Sequence, residues 1–358
     1  MSGKEPDHLG TIAEVEAGQT QEEGDKDYIR WVDFNVTSQA MEDACQWDIS
    51  TYGRDIHLNW IELLACLGAR YGGDFKSYRS EDMENLAEKL TEGTDTIASV
   101  TANLQYYDYY LEAYEAVLGG LVGLYEREVA DDAGQKSWEK VYGLKACSPI
   151  AAGFEYSDYD DFGVSRTYGY ERRHLGHDMM GLVGTPVIAV ESGYVSALGW
   201  NQYGGWRIGI SSFDGKRYYY YAHLRQNRPY AQGLEVGDVV LAGDVIGYMG
   251  RTGYSKEENV NNIKVNHLHF GLQLIFDESQ REGANEIWID VYPIVKFLEK
   301  KRSQVQRNDE TKEWSRTLLI RDPEAERYIR EQGGDGGLPD KNEKAAGIHG
   351  GLRSGNWI

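Results

Sequence analysis

The stretch that decides the fold runs Arg172-Arg-His174-Leu-Gly176-His177-Asp178, then Tyr221-Ala-His223-Leu, then His267-Leu-His269-Phe. Five of the chain's eight histidines fall in it, beside one well-placed aspartate. Neutral imidazole is a common zinc ligand, and a catalytic zinc takes three protein ligands and keeps a fourth position open. His174, Asp178 and one of the two closing histidines would supply three ligands, and the remaining histidines would be free to handle protons. Gly176, and then Gly181-Leu-Val-Gly184-Thr-Pro186, make poor helix, so the segment reads as extended or looped. In an extended strand alternate side chains share a face. His174 and Asp178 then point one way, as do His267 and His269, while His177 points elsewhere and serves a structural or supporting role. The helical zinc motif His-Glu-x-x-His is absent.

The surrounding sequence reads as short strands. Val187–Val190, Tyr194–Leu198, Trp206–Ser211, Arg217–Leu224, Val239–Ala242 and Leu268–Phe276 are apolar or alternating runs separated by Gly, Asn and Asp. Asp214-Gly215 is a hairpin signal. Tyr218 to Tyr221 alternates between core and groove, and Tyr221 is taken as a groove residue. Tyr168 and Asn201 lie near the motif positions and are further cleft candidates.

Taken in order, these motifs resemble the lysostaphin-type peptidases of family M23 (LytM domains). The resemblance also rests on Gly184-Thr-Pro186-Val-Ile-Ala189, Gly193-Tyr-Val195, Gly237-Asp-Val239, Gly243-Asp-Val-Ile-Gly247 and Gly250-Arg-Thr-Gly253, and runs from about Arg172 to about Leu274. It implies a sheet-rich catalytic domain with a groove and a Zn2+ cofactor held by His174, Asp178 and His269. It also implies that His223 and His267 act on water or stabilise the transition state. His267 is favoured as general base and His223 as the oxyanion partner, although the sequence does not decide between them. The implied substrate is a peptidoglycan stem or cross-bridge peptide. Two departures stand out: His177 replaces an apolar residue, and Glu257–Asn266 lengthens the approach to His267.

The front of the chain is different. Residues 1–150 carry 29 acidic and 12 basic side chains, so most of the formal charge of −21 lies there. Such a surface repels phosphate backbones and disfavours nucleic acid as a partner. Trp60-Ile-Glu-Leu-Leu-Ala-Cys-Leu-Gly spaces its apolar residues as a helix ending near Gly72-Gly73. Met83–Leu90 forms a second, with acids in its first turn and Gly93 beyond its end. Leu104–Tyr125 continues as a tyrosine-rich helical run, read as a bundle seam rather than a sugar platform. Asp290–Leu298 reads as a short closing helix. Cys45, Cys66 and Cys147 are too few for a disulfide framework, although Cys45 and Cys66 lie on neighbouring helices and could pair.

The expected fold is therefore α+β and multidomain. A flexible acidic lead-in (1–35) precedes an α-helical domain (36–145), an antiparallel, M23-like zinc peptidase domain (146–300) and a polar, largely flexible tail (301–358). No apolar run of about 18 residues encodes a transmembrane helix, and no hydrophobic core follows Met1 as a signal peptide would require. An extracytoplasmic place of action then implies a removed signal or anchor. The rival to the peptidase is an envelope scaffold that keeps the fold and docks a protein partner through its helices. A third reading is a zinc amidase or peptidase with a non-wall substrate.

Overall fold

The computed structural model describes residues 28–167, 171–281, 283 and 285–334. Five helices come first: α1 (Ser38–Thr51), α2 (Trp60–Tyr71), α3 (Ser80–Thr91), α4 (Ile97–Thr101) and α5 (Tyr107–Leu118). Helix α2 begins where the Asn59 side chain accepts hydrogen bonds from the amides of Ile61 and Glu62, closing two donors that a helix start leaves open. It ends at Gly72, whose φ of 63° is left-handed. Between these signals Leu63, Leu64 and Leu67 face inward and meet Tyr114 of α5, all buried in one core. Cys45 and Cys66 lie on α1 and α2 as buried free thiols.

The helical pattern expected through Tyr125 breaks at Gly119-Gly120. A hairpin follows, β1 (Val122–Ala130) with β2 (Lys136–Leu144). Its half-exposed apolar residues are spaced much as on a helix face. The strand-rich region then builds from β3 (Ser157–Asp158), β4 (Ser165–Thr167), β5 (Glu171–Arg173), β6 (His177–Met180), β7 (Pro186–Ile188) and β8 (Gly193–Asn201). It continues with β9 (Gly205–Ser212), β10 (Arg217–Ala222), β11 (Val239–Val240), β12 (Val245–Tyr248), β13 (His267–Leu274) and β14 (Ile287–Trp288). Eight of these strands form one antiparallel sheet, ordered β11-β8-β9-β10-β13-β6-β3, with β14 added on β13. Asp214-Gly215 makes the β9–β10 turn as the sequence predicts, Gly215 taking a φ of 73°. Helix α6 (Tyr292–Leu298) then closes on the helices, Phe297 stacking on Trp60 at 5.9 Å.

Two expected flexible segments are seated instead. Val32, Phe34 and Val36 alternate into the core, so the part of the lead-in from 28 onward behaves as an extended packed segment. Beyond residue 301 come β15 (Val305–Arg307), β16 (Trp314–Arg316), β17 (Ile320–Arg321) and α7 (Pro323–Glu331). Their polarity misleads because two of their charges, Arg316 and Asp322, are buried against the rest of the protein. Arg316 donates to the Ala242 carbonyl at 2.9 Å, and buried Lys145 pairs with buried Asp322 at 3.2 Å and with Glu324 at 2.7 Å. Tyr328 stacks on Tyr194 at 5.2 Å. Residues 1–27 and 335–358, with His8 and His349, lie outside the described residues.

The helices and the sheet share one continuous core. At their junction Arg217 of β10 is fully buried. It donates to Glu191 at 2.8 Å and 3.1 Å, to Asp214 at 2.9 Å, and to the carbonyls of Ala116 and Glu115 at the end of α5 at 2.9 Å and 3.3 Å. The Glu115 carbonyl also accepts from the Gly119 amide at 2.9 Å, so the guanidinium adds to the cap of the helix end while it neutralises Glu191. The Tyr219 hydroxyl completes the knot, donating to Glu191 at 2.6 Å.

Candidate metal centre and cleft

Strand pairing brings the motif residues together. On β13 His269 lies opposite both Asp178 of β6 and Ala222 of β10. His174 sits just before β6. The bend at Gly176 lets it approach, because a Cβ there would lie 2.6 Å from the His269 ring and 2.8 Å from the Phe270 carbonyl. That contact is the physical reason for glycine between the first histidine and the aspartate. His174 Nε2, Asp178 Oδ1 and His269 Nδ1 form a triangle with all three edges at 3.0 Å. For ligand bonds of about 2.0–2.1 Å, a tetrahedral edge is about 3.3 Å, so these side chains fit a zinc ion with little movement. Among the described residues this is the one group of three or more His, Cys, Asp or Glu gathered closely enough to hold a metal.

The tautomers follow from the outer partners. A backbone carbonyl only accepts, so the ring nitrogen facing it carries the proton. His174 Nδ1 donates to the Asp161 carbonyl at 3.2 Å, with Asp161 Oδ1 at the same distance. The Nε2 lone pair of His174 therefore faces the centre, an arrangement typical of metal-bound histidine. His223 Nδ1 likewise donates to Thr252 O at 3.0 Å, and His267 Nδ1 to Val265 O at 2.8 Å. The two rings meet at 4.7 Å, and His267 Nε2 lies 3.7 Å from Asp178 Oδ1. His223 takes a left-handed φ of 60°, costly for a non-glycine residue and frequent at functional sites. The tip of the β8–β9 hairpin supports it: the His223 amide donates to Gly204 O at 2.7 Å. Gly205 packs so near Thr252 that a Cβ would lie 2.4 Å from its carbonyl carbon.

Charge is balanced tightly. Burial opposes ionisation of Asp178, yet the close His174 and His269 nitrogens and the neighbouring imidazole of His267 hold its carboxyl well below the usual range. Burial pushes His269 down to about 4 despite its bond to Asp178, and burial together with the neighbouring histidines pushes His223 well down. Both are therefore neutral near pH 7, as ligation or proton acceptance requires. Burial raises the carboxyl of Asp161 against the pull of His174. Arg166 bridges Asp161 and Asp178, reaching the latter at 3.3 Å. Asp161 and Arg166 belong to the site but carry no motif; only a carboxylate some dozen residues upstream of His174 could have pointed to them.

His177 faces away, as the alternation predicts. It is buried, with Nε2 3.0 Å from Asp158, which also takes Lys296 at 3.0 Å. His57 is similarly structural, 2.8 Å from buried Asp48. The tyrosine assignment is corrected by one residue. Tyr221 is fully buried with its hydroxyl accepting from the Val190 amide, whereas Tyr218 and Tyr220 line the cleft. Ala222 sits opposite His269, so the cleft-facing parity is even. Asn201 does not line the cleft; it holds Tyr220, donating to its hydroxyl at 3.2 Å, while its Oδ1 accepts from Gly204 at 2.6 Å. Tyr168 lies outside the described residues. The long approach to His267 is laced by amides: Asn259 accepts from Trp206 Nε1 at 2.9 Å and Asn262 donates to Tyr254 O at 2.6 Å. The cleft encloses about 460 Å³.

A fold of this kind, with this site, has relatives. Residues 172–281 match the family model for Peptidase family M23. The chain is 33% identical over 159 residues to the L-Ala–D-Glu endopeptidase of Bacillus subtilis (strain 168), covering 44% of this chain and 45% of that protein. Lysostaphin of Staphylococcus simulans is 40% identical over 98 residues, covering 27% of this chain and 17% of that one. The matches thus span less than half of these relatives. Among solved structures, the lysostaphin catalytic domain from Staphylococcus simulans is 32% identical with a TM-score of 0.31, covering 39% of this chain and 92% of that one. A structure named for lytM from Ruminococcus gnavus is 24% identical with a TM-score of 0.47, covering 75% and 90%.

Proposed function

We propose that this chain is a zinc-dependent endopeptidase that hydrolyses peptide bonds in peptidoglycan stem peptides or cross-bridges, acting outside the cytoplasm. The observation that carries the reading is the 3.0 Å triangle of His174, Asp178 and His269 in a cleft into which His223 and His267 also open. The relative named as an L-Ala–D-Glu endopeptidase supports the substrate class. Among the described residues no helix is long and apolar enough to cross a membrane.

Zinc held by these three residues would supply Lewis-acid polarisation of the scissile carbonyl and an acidified water near neutrality. The chain's own groups do the rest. Both His223 and His267 keep Nδ1–H on a carbonyl and enter with a free Nε2 lone pair, so each begins as a proton acceptor. His267 acts as the general base, because the Asp178 carboxylate 3.7 Å away supports the imidazolium that forms. It then returns the proton to the leaving amine. His223 cannot donate to an oxyanion while its one proton lies on Thr252 O, so in this account it aligns the attacking water by accepting from it. Asp161 holds His174 in its ligating tautomer. Tyr218 and Tyr220 form an aromatic floor for the peptide.

The test is digestion of purified peptidoglycan by the zinc-loaded chain, with new amine termini identified by mass spectrometry. Cleavage by the native chain and none by His267→Ala supports the proposal; intact walls of several chemotypes in the presence of bound zinc would move the reading to a scaffold.

A further inference from the structure

The cleft floor is one face of the sheet, and its register places a cation at a defined distance from the metal centre. On β10, Ala222 pairs with His269 of β13. On β9, Ile208 pairs with Tyr221, so the next pair of that ladder sets Arg207 beside Ala222. One row across the sheet thus reads His269, Ala222, Arg207, at roughly 5 Å per strand. The alanine between them leaves the row open, and Arg207 lines the same cleft as the five motif residues.

Several other cleft and core arginines already have carboxylates, and Arg172 of the cleft lies over the rings of Tyr203 and Tyr254. Arg166 has Asp161 and Asp178, Arg217 has Glu191 and Asp214, and Arg281 has Glu278. Arg207 has none among the described residues. It shares a hydrogen bond with the Tyr218 hydroxyl, and its Nε is buried without a partner. A half-buried guanidinium without a counter-ion is costly, and it stands out in a chain of net charge −21. Glu286, on the cleft wall, is occupied by Trp288 Nε1 at 2.8 Å.

We propose that Arg207 is a specificity residue that reads a free carboxylate on the peptide near the scissile bond, so that the preferred substrate is an anionic stem peptide rather than an uncharged glycine run. The inference rests on the peptidase reading for its reaction but not for its binding. About 10 Å separates the Cα atoms of His269 and Arg207 along the row, and an extended peptide advances about 3.5 Å per residue. The carboxylate read by the guanidinium fork is therefore within about three residues of the cut amide.

The experiment uses the zinc-loaded full chain with three probes: the stem tetrapeptide L-Ala-γ-D-Glu-L-Lys-D-Ala, its α-carboxamide form, and pentaglycine. Cleavage gives kcat/KM, and calorimetry with the same peptides gives Kd. The acid form is expected to lead the amide by roughly tenfold to a hundredfold, with the ratio shrinking as salt rises. Arg207→Gln brings the ratio close to one, and Arg207→Lys keeps part of it. Equal handling of acid and amide by the native chain, or a ratio that survives Arg207→Gln, overturns the inference. Should Arg207→Gln not fold, the native ratio and Arg207→Lys decide it. Cleavage without charge preference sinks the inference and leaves the peptidase standing. Arg207-dependent, charge-selective binding without cleavage of any probe supports the inference and sinks the peptidase. Neither binding nor cleavage overturns both.

Discussion

Two buried polar clusters sit on the same sheet, and they are built on opposite plans. Around Arg217 each charge has its partner inside the protein: Glu191, Asp214, Tyr219 and two helix-end carbonyls. Around Asp178 three acceptor-type atoms are aimed at one another, and the second nitrogens of His174, His223 and His267 are pinned outward. The first cluster is closed and serves the fold by fastening the helices to the catalytic sheet. The second gathers its lone pairs at one point, which is the arrangement the proposed zinc would use. The difference lies in where the donors point, since the residue types are equally polar in both.

Breaking each cluster should give opposite outcomes. The largest effect is expected from Asp178→Asn or His174→Ala: wall hydrolysis should fall by at least about a thousandfold, since three ligands are the minimum for a catalytic zinc, while thermal unfolding without metal changes little. His267→Ala should lower kcat by about a hundredfold to ten-thousandfold with zinc still bound, measured by single-turnover cleavage and metal analysis. Arg217→Met, by contrast, should cost about 3–5 kcal/mol of stability, because it leaves Glu191 buried and unpaired. Urea unfolding reads that loss, and the folded fraction should keep its zinc. Normal stability in Arg217→Met would erase the contrast between the two clusters.

A subtler probe is Asp161→Asn, which keeps the backbone carbonyl but removes the negative charge whose Oδ1 lies 3.2 Å from His174 Nδ1. Zinc affinity should drop by about tenfold to a hundredfold, read by competition with a chelating dye, with peptide KM little changed. The smallest effect concerns pH. In the metal-free chain His269 and His223 have folded-state values below 6.5, His269 about 4. The unfolded chain then binds more protons between those values. Stability from these groups is present above about pH 6.5 and is lost as pH falls toward about 4. Melting temperature measured without zinc should decline across that window, and less steeply in His269→Gln.

Much of the centre was legible in the sequence because its residues carry chemistry at fixed spacing. His174, Asp178, His223, His267 and His269 converge where the pattern places them, and His177 turns away as strand alternation requires. What the sequence withheld depends on pairing between distant segments. The parity of the Tyr218–Tyr221 run follows from Ala222 facing His269, and no local signal in four consecutive tyrosines fixes it. Arg207 was invisible for the same reason: its place beside the metal centre exists only across two strand registers. The hairpin at 122–144 was hidden behind a helix-like apolar run, and the segment after 301 was hidden by its polarity, although its Asp322 and Arg316 are buried in ion pairs with Lys145 and Asp244. Composition reports how polar a segment is, whereas tertiary contacts decide whether that polarity faces water.

The most direct test of the central claim is a zinc titration of metal-stripped native chain, followed by wall-digestion rate at each point, beside His269→Ala. The account predicts one zinc per native chain, a rate that rises with occupancy and saturates at that stoichiometry, and neither binding nor cleavage in His269→Ala. Native chain that digests walls fully without metal, or His269→Ala that binds zinc and cleaves like the native protein, would contradict it.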